Sequence, residues 1–150
     1  MKLKIPPVLV FIAFGVFMYV LARFLPVGYF DFFGRIYLMY ALCAIAGSIV
    51  FISLLQFFRS KTTVDPTAPS KASKLVTSGI YQYSRNPMYL GLLLMLLAWG
   101  LWLGNAFNVL LAAGFVAYMN AFQIAAEEEM LLQLFDKEYK QYCTLVRRWF

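Results

Sequence analysis

Residues 88–126 read MYLGLLLMLLAWGLWLGNAFNVLLAAGFVAYMNAFQIAA. They contain no Asp, Glu, Lys or Arg and one obvious break, Gly104-Asn105. A helix that crosses a bilayer needs about 20 apolar residues. The stretch therefore predicts two spans, 88–103 and roughly Ala106 to Ala126, joined by a tight turn. The first is short, so it should tilt or end at the interface.

Upstream, two more apolar runs are long enough to span, from Ile5 to Leu25 and from Ile36 to Phe58. Pro6 and Pro7 fall in the first turn of the first run, where a missing N–H costs little. Arg23 can snorkel from its end. Between the runs, residues 26–35 (PVGYFDFFGR) suit a membrane interface. No small-residue cleavage site follows the first run, which predicts a retained helix.

Of 150 residues, 63% are hydrophobic and 13% charged, about half the charge of a soluble domain. That excludes a soluble enzyme with a nucleotide-binding domain. The expected class is all-α: one polytopic membrane domain over residues 1–150, with about four transmembrane helices. A C-terminal amphipathic interfacial helix follows. Residues 1–58 form two N-terminal spans, 59–87 a cytoplasmic loop, 88–126 the hairpin and 127–150 a cytoplasmic tail. In that tail Leu131, Phe135, Tyr139, Tyr142, Val146 and Trp149 recur every three or four residues, which is one apolar stripe on a helix.

The formal charge is +6. Lys2, Lys4, Arg59, Lys61, Lys71, Lys74, Arg85, Lys137, Lys140, Arg147 and Arg148 fall on one side of a four-span topology, and only Arg23 and Arg35 on the other. The positive-inside rule makes the first side cytoplasmic, with both termini. Anionic membrane lipids are the expected partner of these charges and nucleic acid is not. With no His, and with Cys43 and Cys143 far apart, no metal site is expected. The small size and the lack of a processing signal point to a prokaryotic inner membrane.

Two polar clusters stand at the cytoplasmic boundary. One is Tyr81, Tyr83, Arg85, Asn86 and Tyr89 before and at the start of the third span. The other is Glu127, Glu128 and Glu129 at the end of the fourth. A hairpin brings these ends together. Acidic groups at the lip of an apolar helix must be solvated or paired. Singly, each residue has an ordinary reading: Arg85 as a topology anchor, the tyrosines as an aromatic belt, Asn86-Pro87 as a helix start with Asn as cap.

Taken together, LVTSGIYQYSRNPMYLG (75–91) resembles the signature of membrane methyltransferases related to isoprenylcysteine carboxyl methyltransferase, a group that includes phospholipid N-methyltransferases. The pattern is Gly, an aromatic, Arg-His-Pro or Arg-Asn-Pro, Tyr and Gly. After a hairpin it continues with Glu-Glu, Phe-Gly, spaced tyrosines and Val-x-Arg-Trp. This chain has Glu127-Glu128, Phe135, Tyr139, Tyr142, Val146, Arg148 and Trp149 in that order. The resemblance covers roughly residues 59–150. It implies S-adenosylmethionine as cofactor, S-adenosylhomocysteine as product, and a lipophilic small-molecule or lipidated acceptor arriving from the bilayer.

Carried over by position, the resemblance puts Tyr81, Tyr83, Arg85, Asn86, Tyr89, Glu127, Glu128, Tyr142 and Arg148 at the cofactor, and Arg85, Asn86 and Glu127 at the chemistry. Tyr139 helps to cover the site. Asn86 stands where many relatives have His, so it can bind but cannot titrate. Asp136 replaces the usual Gly after Phe135, and Ile80 a frequent Pro. The alternatives are phospholipid or amine N-methylation, or a non-catalytic membrane protein that binds anionic lipid or a partner.

Overall fold

The computed structural model describes residues 5–25, 27–59 and 74–150. Lys2, Lys4, Lys61 and Lys71, with residues 60–73 of the expected 59–87 loop, lie outside the described residues. Among the described residues five α-helices follow in order: α1 (Pro7–Phe24), α2 (Arg35–Arg59), α3 (Pro87–Leu103), α4 (Asn108–Tyr118) and α5 (Ala125–Leu145). A 3-10 turn, Gly79–Gln82, precedes α3. α1, α2 and the continuous helix Asn108–Leu145 are long and apolar enough to cross a membrane, and α3 is a shorter apolar helix. The chain is an all-α polytopic membrane protein.

α3 lies at the centre and packs on α1, α2 and α4. Its signature glycine, Gly91, explains the close approach of α2. A Cβ there would stand 2.5 Å from Val50 Cγ2 and 3.2 Å from the Ala46 carbonyl oxygen. Small residues let helix backbones meet where water supplies no driving force between apolar surfaces. The α1–α3–α4 core contains Val10, Met18, Leu96, Phe115 and Met119. The Phe14 ring meets Phe115 edge-on at 5.7 Å.

One end of the bundle is closed by the 104–107 turn. Gly104 takes φ +66° and ends α3 in the left-handed conformation that favours glycine. The Asn105 amide donates to the carbonyls of Leu25 and Val27, and its side-chain oxygen accepts the Phe107 N–H at 2.9 Å. The Phe30 N–H donates to the Gly104 carbonyl and the Ala106 N–H to the Gly28 carbonyl, so the α1–α2 and α3–α4 connections meet in a single antiparallel bridge. Arg35 sits at this end and donates to the Phe30 carbonyl.

The fourth span does not stop at Ala126. It runs on through a π-helical segment, Met119–Ile124, in which the Ala125 N–H reaches back to the Asn120 carbonyl. A π segment inserts one residue into the turn and re-aims the side chains beyond it. α5 then continues to Leu145, kinked at Asp136, whose φ is +27°. The resemblance places glycine at this position, and the backbone takes a conformation that costs a side-chain-bearing residue about 1–3 kcal/mol. The apolar stripe of α5 is covered by protein: Leu131, Phe135, Tyr139, Tyr142 and Val146 pack with Leu75, Val76, Ile80 and Tyr81. The tail thus closes over the segment that carries the motif.

Candidate active site

Residues 84–89 lead into α3, 123–128 straddle the π segment and α5, and 146–149 are the segment after α5. Pro87 sits at the first helical position, as the dipeptide predicts. Asn86, however, does not cap α3 with its side chain. Its Nδ2 donates to the Arg148 carbonyl at 2.9 Å. Beside it the Arg85 N–H donates to the Arg147 carbonyl at 3.0 Å. Two consecutive residues of the motif therefore hold two consecutive residues of the tail. The Asn86 N–H itself donates to the Ser84 hydroxyl at 3.1 Å.

Glu128 joins the two arginines. Its Oε2 accepts from Arg148 Nη2 at 2.6 Å and its Oε1 from Arg148 Nε at 3.1 Å. Arg85 Nη2 lies 3.3 Å from Oε1. The two-pronged contact is the strong, directional form of this pair. It raises the Arg148 pKa, chiefly through the hydrogen bond to Glu128. The other prong of Arg85, Nη1, contacts the Cys143 thiol, and its Nε is buried without a hydrogen-bond partner. Charge counting over Arg85, Arg148 and Glu128 gives two positive and one negative, a net +1.

Glu127 faces a different set. The Tyr89 hydroxyl donates to its Oε1, and Gln123 Nε2 donates to the same oxygen at 2.9 Å. Gln123 also lies 3.4 Å from the Tyr89 hydroxyl oxygen. Tyr89 and Gln123 are buried. Behind these groups stands a wall of tyrosines. The Tyr142 hydroxyl donates to the Tyr81 carbonyl at 2.5 Å. The Tyr81 ring packs edge-on against Phe57 at 5.2 Å, and burial pushes its phenol above the ordinary value, with the Ser53 hydroxyl opposing.

The fold thus brings together Arg85, Asn86, Tyr89, Glu127, Glu128 and Arg148, with Tyr81, Tyr139 and Tyr142 in the adjoining cluster. Tyr83 stands apart, 77% exposed, because the turn after Gln82 sends residues 81 and 83 to opposite sides. Trp149 is anchored by its indole N–H to Asn120 Oδ1 at 3.0 Å. Asn120, Gln123 and Cys143 are the residues that sequence reasoning missed. A signal for two of them existed. Asn120 and Gln123 are amides inside an apolar span, seven and four residues before Glu127, and polar groups there need a partner.

Among the described residues no cluster of His, Cys, Asp and Glu could hold a metal ion. The site is a polar cluster under the tail at the end of an apolar helical hairpin, with acidic and guanidinium groups side by side. The spans define an integral membrane protein, and at one end of its bundle acidic and guanidinium groups meet.

The chain belongs to the phospholipid methyltransferase family, whose model matches residues 34–138. Over 101 residues, 61% of the chain, it is 34% identical to the protein-S-isoprenylcysteine O-methyltransferase of Schizosaccharomyces pombe. That match takes in 43% of the yeast protein, so the chain spans less than half the length of this relative. A short uncharacterized protein of Haemophilus influenzae is 53% identical over 62 residues, which is 41% of the chain and 98% of that protein. No solved structure matches the chain. Membership places it among membrane methyltransferases.

Proposed function

We propose that this chain is an S-adenosylmethionine-dependent methyltransferase for a lipophilic or lipid-anchored acceptor, with its site on the cytoplasmic face of a prokaryotic inner membrane. The observation that carries the reading is the meeting of residues 85–89, 127–128 and 148 in one cluster beside an apolar bundle. Its donor set fits the cofactor. The amino acid part of S-adenosylmethionine carries an ammonium and a carboxylate. Glu127 supplies a carboxylate, and the Arg85–Glu128–Arg148 cluster a net +1. Tyr89 and Tyr139 supply aromatic surface near the charges. Bound there, the cofactor would supply an activated methyl group.

The residues of the chain do the rest. The tail, tied down by Arg85 and Asn86, covers this cluster and excludes water. Holding nucleophile and methyl in line and close is worth roughly 7–11 kcal/mol. A carboxylate or thiolate acceptor needs no general base, so the absence of His is no obstacle. An amine acceptor must also lose a proton. The names of the family and of the yeast relative support the two acceptor classes, phospholipid and isoprenylcysteine.

The test is calorimetric titration of S-adenosylhomocysteine into the protein in mild detergent, with Glu127→Gln and Arg85→Ala alongside. Micromolar binding, about −8 kcal/mol, is expected for the wild type and its loss in both variants. A folded wild type that does not bind would refute the reading and favour a lipid- or partner-binding protein. Labelled methyl donor with membrane extract then separates carboxyl esters, which are base-labile, from methylated amines.

A further inference from the structure

We propose that the end of the bundle opposite the motif holds a second site, a cavity that takes a neutral lipid by its free hydroxyl, with Asn108 as the residue that binds it. The site is independent of the methyltransferase reading. Asn108 and Glu127 stand 19 residues apart on one continuous helix, about 28 Å at the helical rise per residue.

The observation is a buried amide with nothing to bond. Asn108 opens α4 and is 2% exposed. Among the described residues neither its Nδ2 nor its Oδ1 has a hydrogen-bond partner. An unpaired amide away from water is costly, and buried amides in native proteins nearly always meet a partner. A membrane sharpens the demand, because its hydrocarbon offers no hydrogen bonds. Asn108 lines a cavity of about 390 Å³, walled by Met18 of α1, Phe30 of the α1–α2 connection, Leu97 of α3 and Val109 of α4. Gly100 keeps room beside the amide: a Cβ there would stand 3.1 Å from Met18 Cε and 3.4 Å from Asn108 Cβ.

The walls define the occupant. The other polar side chain of the lining, Asn105, is already used by the carbonyls of Leu25 and Val27 and the Phe107 N–H. No charged side chain lines the cavity, so an ion would find no counter-charge there. A lone water would find too few partners, since an enclosed water needs two to four polar groups. The volume is in the range of small-molecule sites and far above the roughly 30 Å³ share of one water. The fit is one group that both donates and accepts, carried on an apolar body. A hydroxyl does both. Val109 is 60% exposed, so the cavity opens at the surface of the bundle, and at the head of a spanning helix that surface meets lipid. The occupant is a membrane lipid of the monoacylglycerol type, its hydroxyl on Asn108 and its chain against Leu97 and Val109.

The test uses the full chain in nanodiscs of phosphatidylcholine, which has no free hydroxyl. The probe is a long-chain alcohol with a diazirine on its chain, and mass spectrometry identifies the peptides labelled on irradiation. The competitors are a monoacylglycerol and the same compound with its hydroxyls methylated. Label should fall on the peptides that hold Met18, Leu97 or Val109. The free hydroxyl form should compete about 5- to 100-fold better than its ether, the penalty for leaving a buried acceptor unpaired. Asn108→Leu, close in shape, should bring that ratio near 1, and Val109→Trp, which fills the mouth, should cut the label severalfold. Label elsewhere, equal competition in the wild type, a ratio kept in Asn108→Leu or a label undiminished in Val109→Trp would each overturn the proposal. Melting in the same nanodiscs without probe separates the lipid from enclosed water. Asn108→Leu should melt no lower than the wild type, because an unpaired amide contributes nothing. A clear fall would show that water already satisfies the amide, and would overturn the lipid as its partner.

Discussion

Glu128→Gln should cost this protein stability out of proportion to a single surface-type charge. The carboxylate and Arg85 have side-chain exposures of 17% and 14% and lie 3.3 Å apart. At that separation two unit charges attract by about 5 kcal/mol in a medium of effective dielectric about 20. Desolvation offsets much of this. Removing one member of a buried pair nevertheless costs roughly 3–5 kcal/mol, because the remaining charge stays buried and unpaired. The Arg148 contact adds less: Arg148 is 38% exposed, and solvent screens such a pair to about 1 kcal/mol or below. The glutamine oxygen keeps one acceptor for the arginines and recovers part of the loss. The net expectation is about 2–4 kcal/mol. Equilibrium unfolding in mixed micelles measures it, with Glu129→Gln as the control. Glu129 is exposed, and its replacement should change stability by less than about 0.5 kcal/mol. A double-mutant cycle with Arg85→Ala should then show coupling of about 1–3 kcal/mol. If Glu128→Gln matches Glu129→Gln, or if its effect adds to that of Arg85→Ala without coupling, the role of Glu128 as the anchor of Arg85 is refuted.

Gly91→Ala puts a Cβ 2.5 Å from Val50 Cγ2 and should destabilise by about 1–3 kcal/mol in the same unfolding assay; combining it with Val50→Ala should restore part of the loss. Asp136→Gly should stabilise by about 1 kcal/mol, because φ +27° is strained for aspartate and the exposed Lys140 pair it gives up contributes little; a fall in melting temperature would contradict this. Tyr142→Phe removes the donor to the buried Tyr81 carbonyl and should cost about 1–3 kcal/mol. Limited proteolysis should show the tail of that variant cut sooner, and an unchanged rate would place the anchor of the tail elsewhere.

Most of the fold was legible in the sequence. Three apolar runs, the start of the fourth, the Gly104-Asn105 turn and the Pro87 helix start appear within a residue or two of where the sequence puts them, since span length and turn chemistry are local properties. The motif pairing was legible as well, because a hairpin must return the end of one helix to the start of the other. Asp136 shows the same logic in reverse: a glycine position in the family pattern is a positive-φ position here.

The division of roles within the site was not legible. Glu127 and Glu128 are adjacent and chemically identical in the chain, and successive helical residues point about 100° apart. Only the packing decides that one meets two guanidinium groups and the other an amide and a phenol. Asn86 reads as a helix cap, and the tertiary structure makes it a hook for the tail, because a backbone carbonyl 62 residues away lies within reach of its amide. The sequence by itself determined the membrane class, the start of each span and most of the polar residues that meet, through hydrophobic length and local backbone preference. The tertiary structure alone decided which charges compensate one another, since that depends on distances between segments that no local pattern encodes.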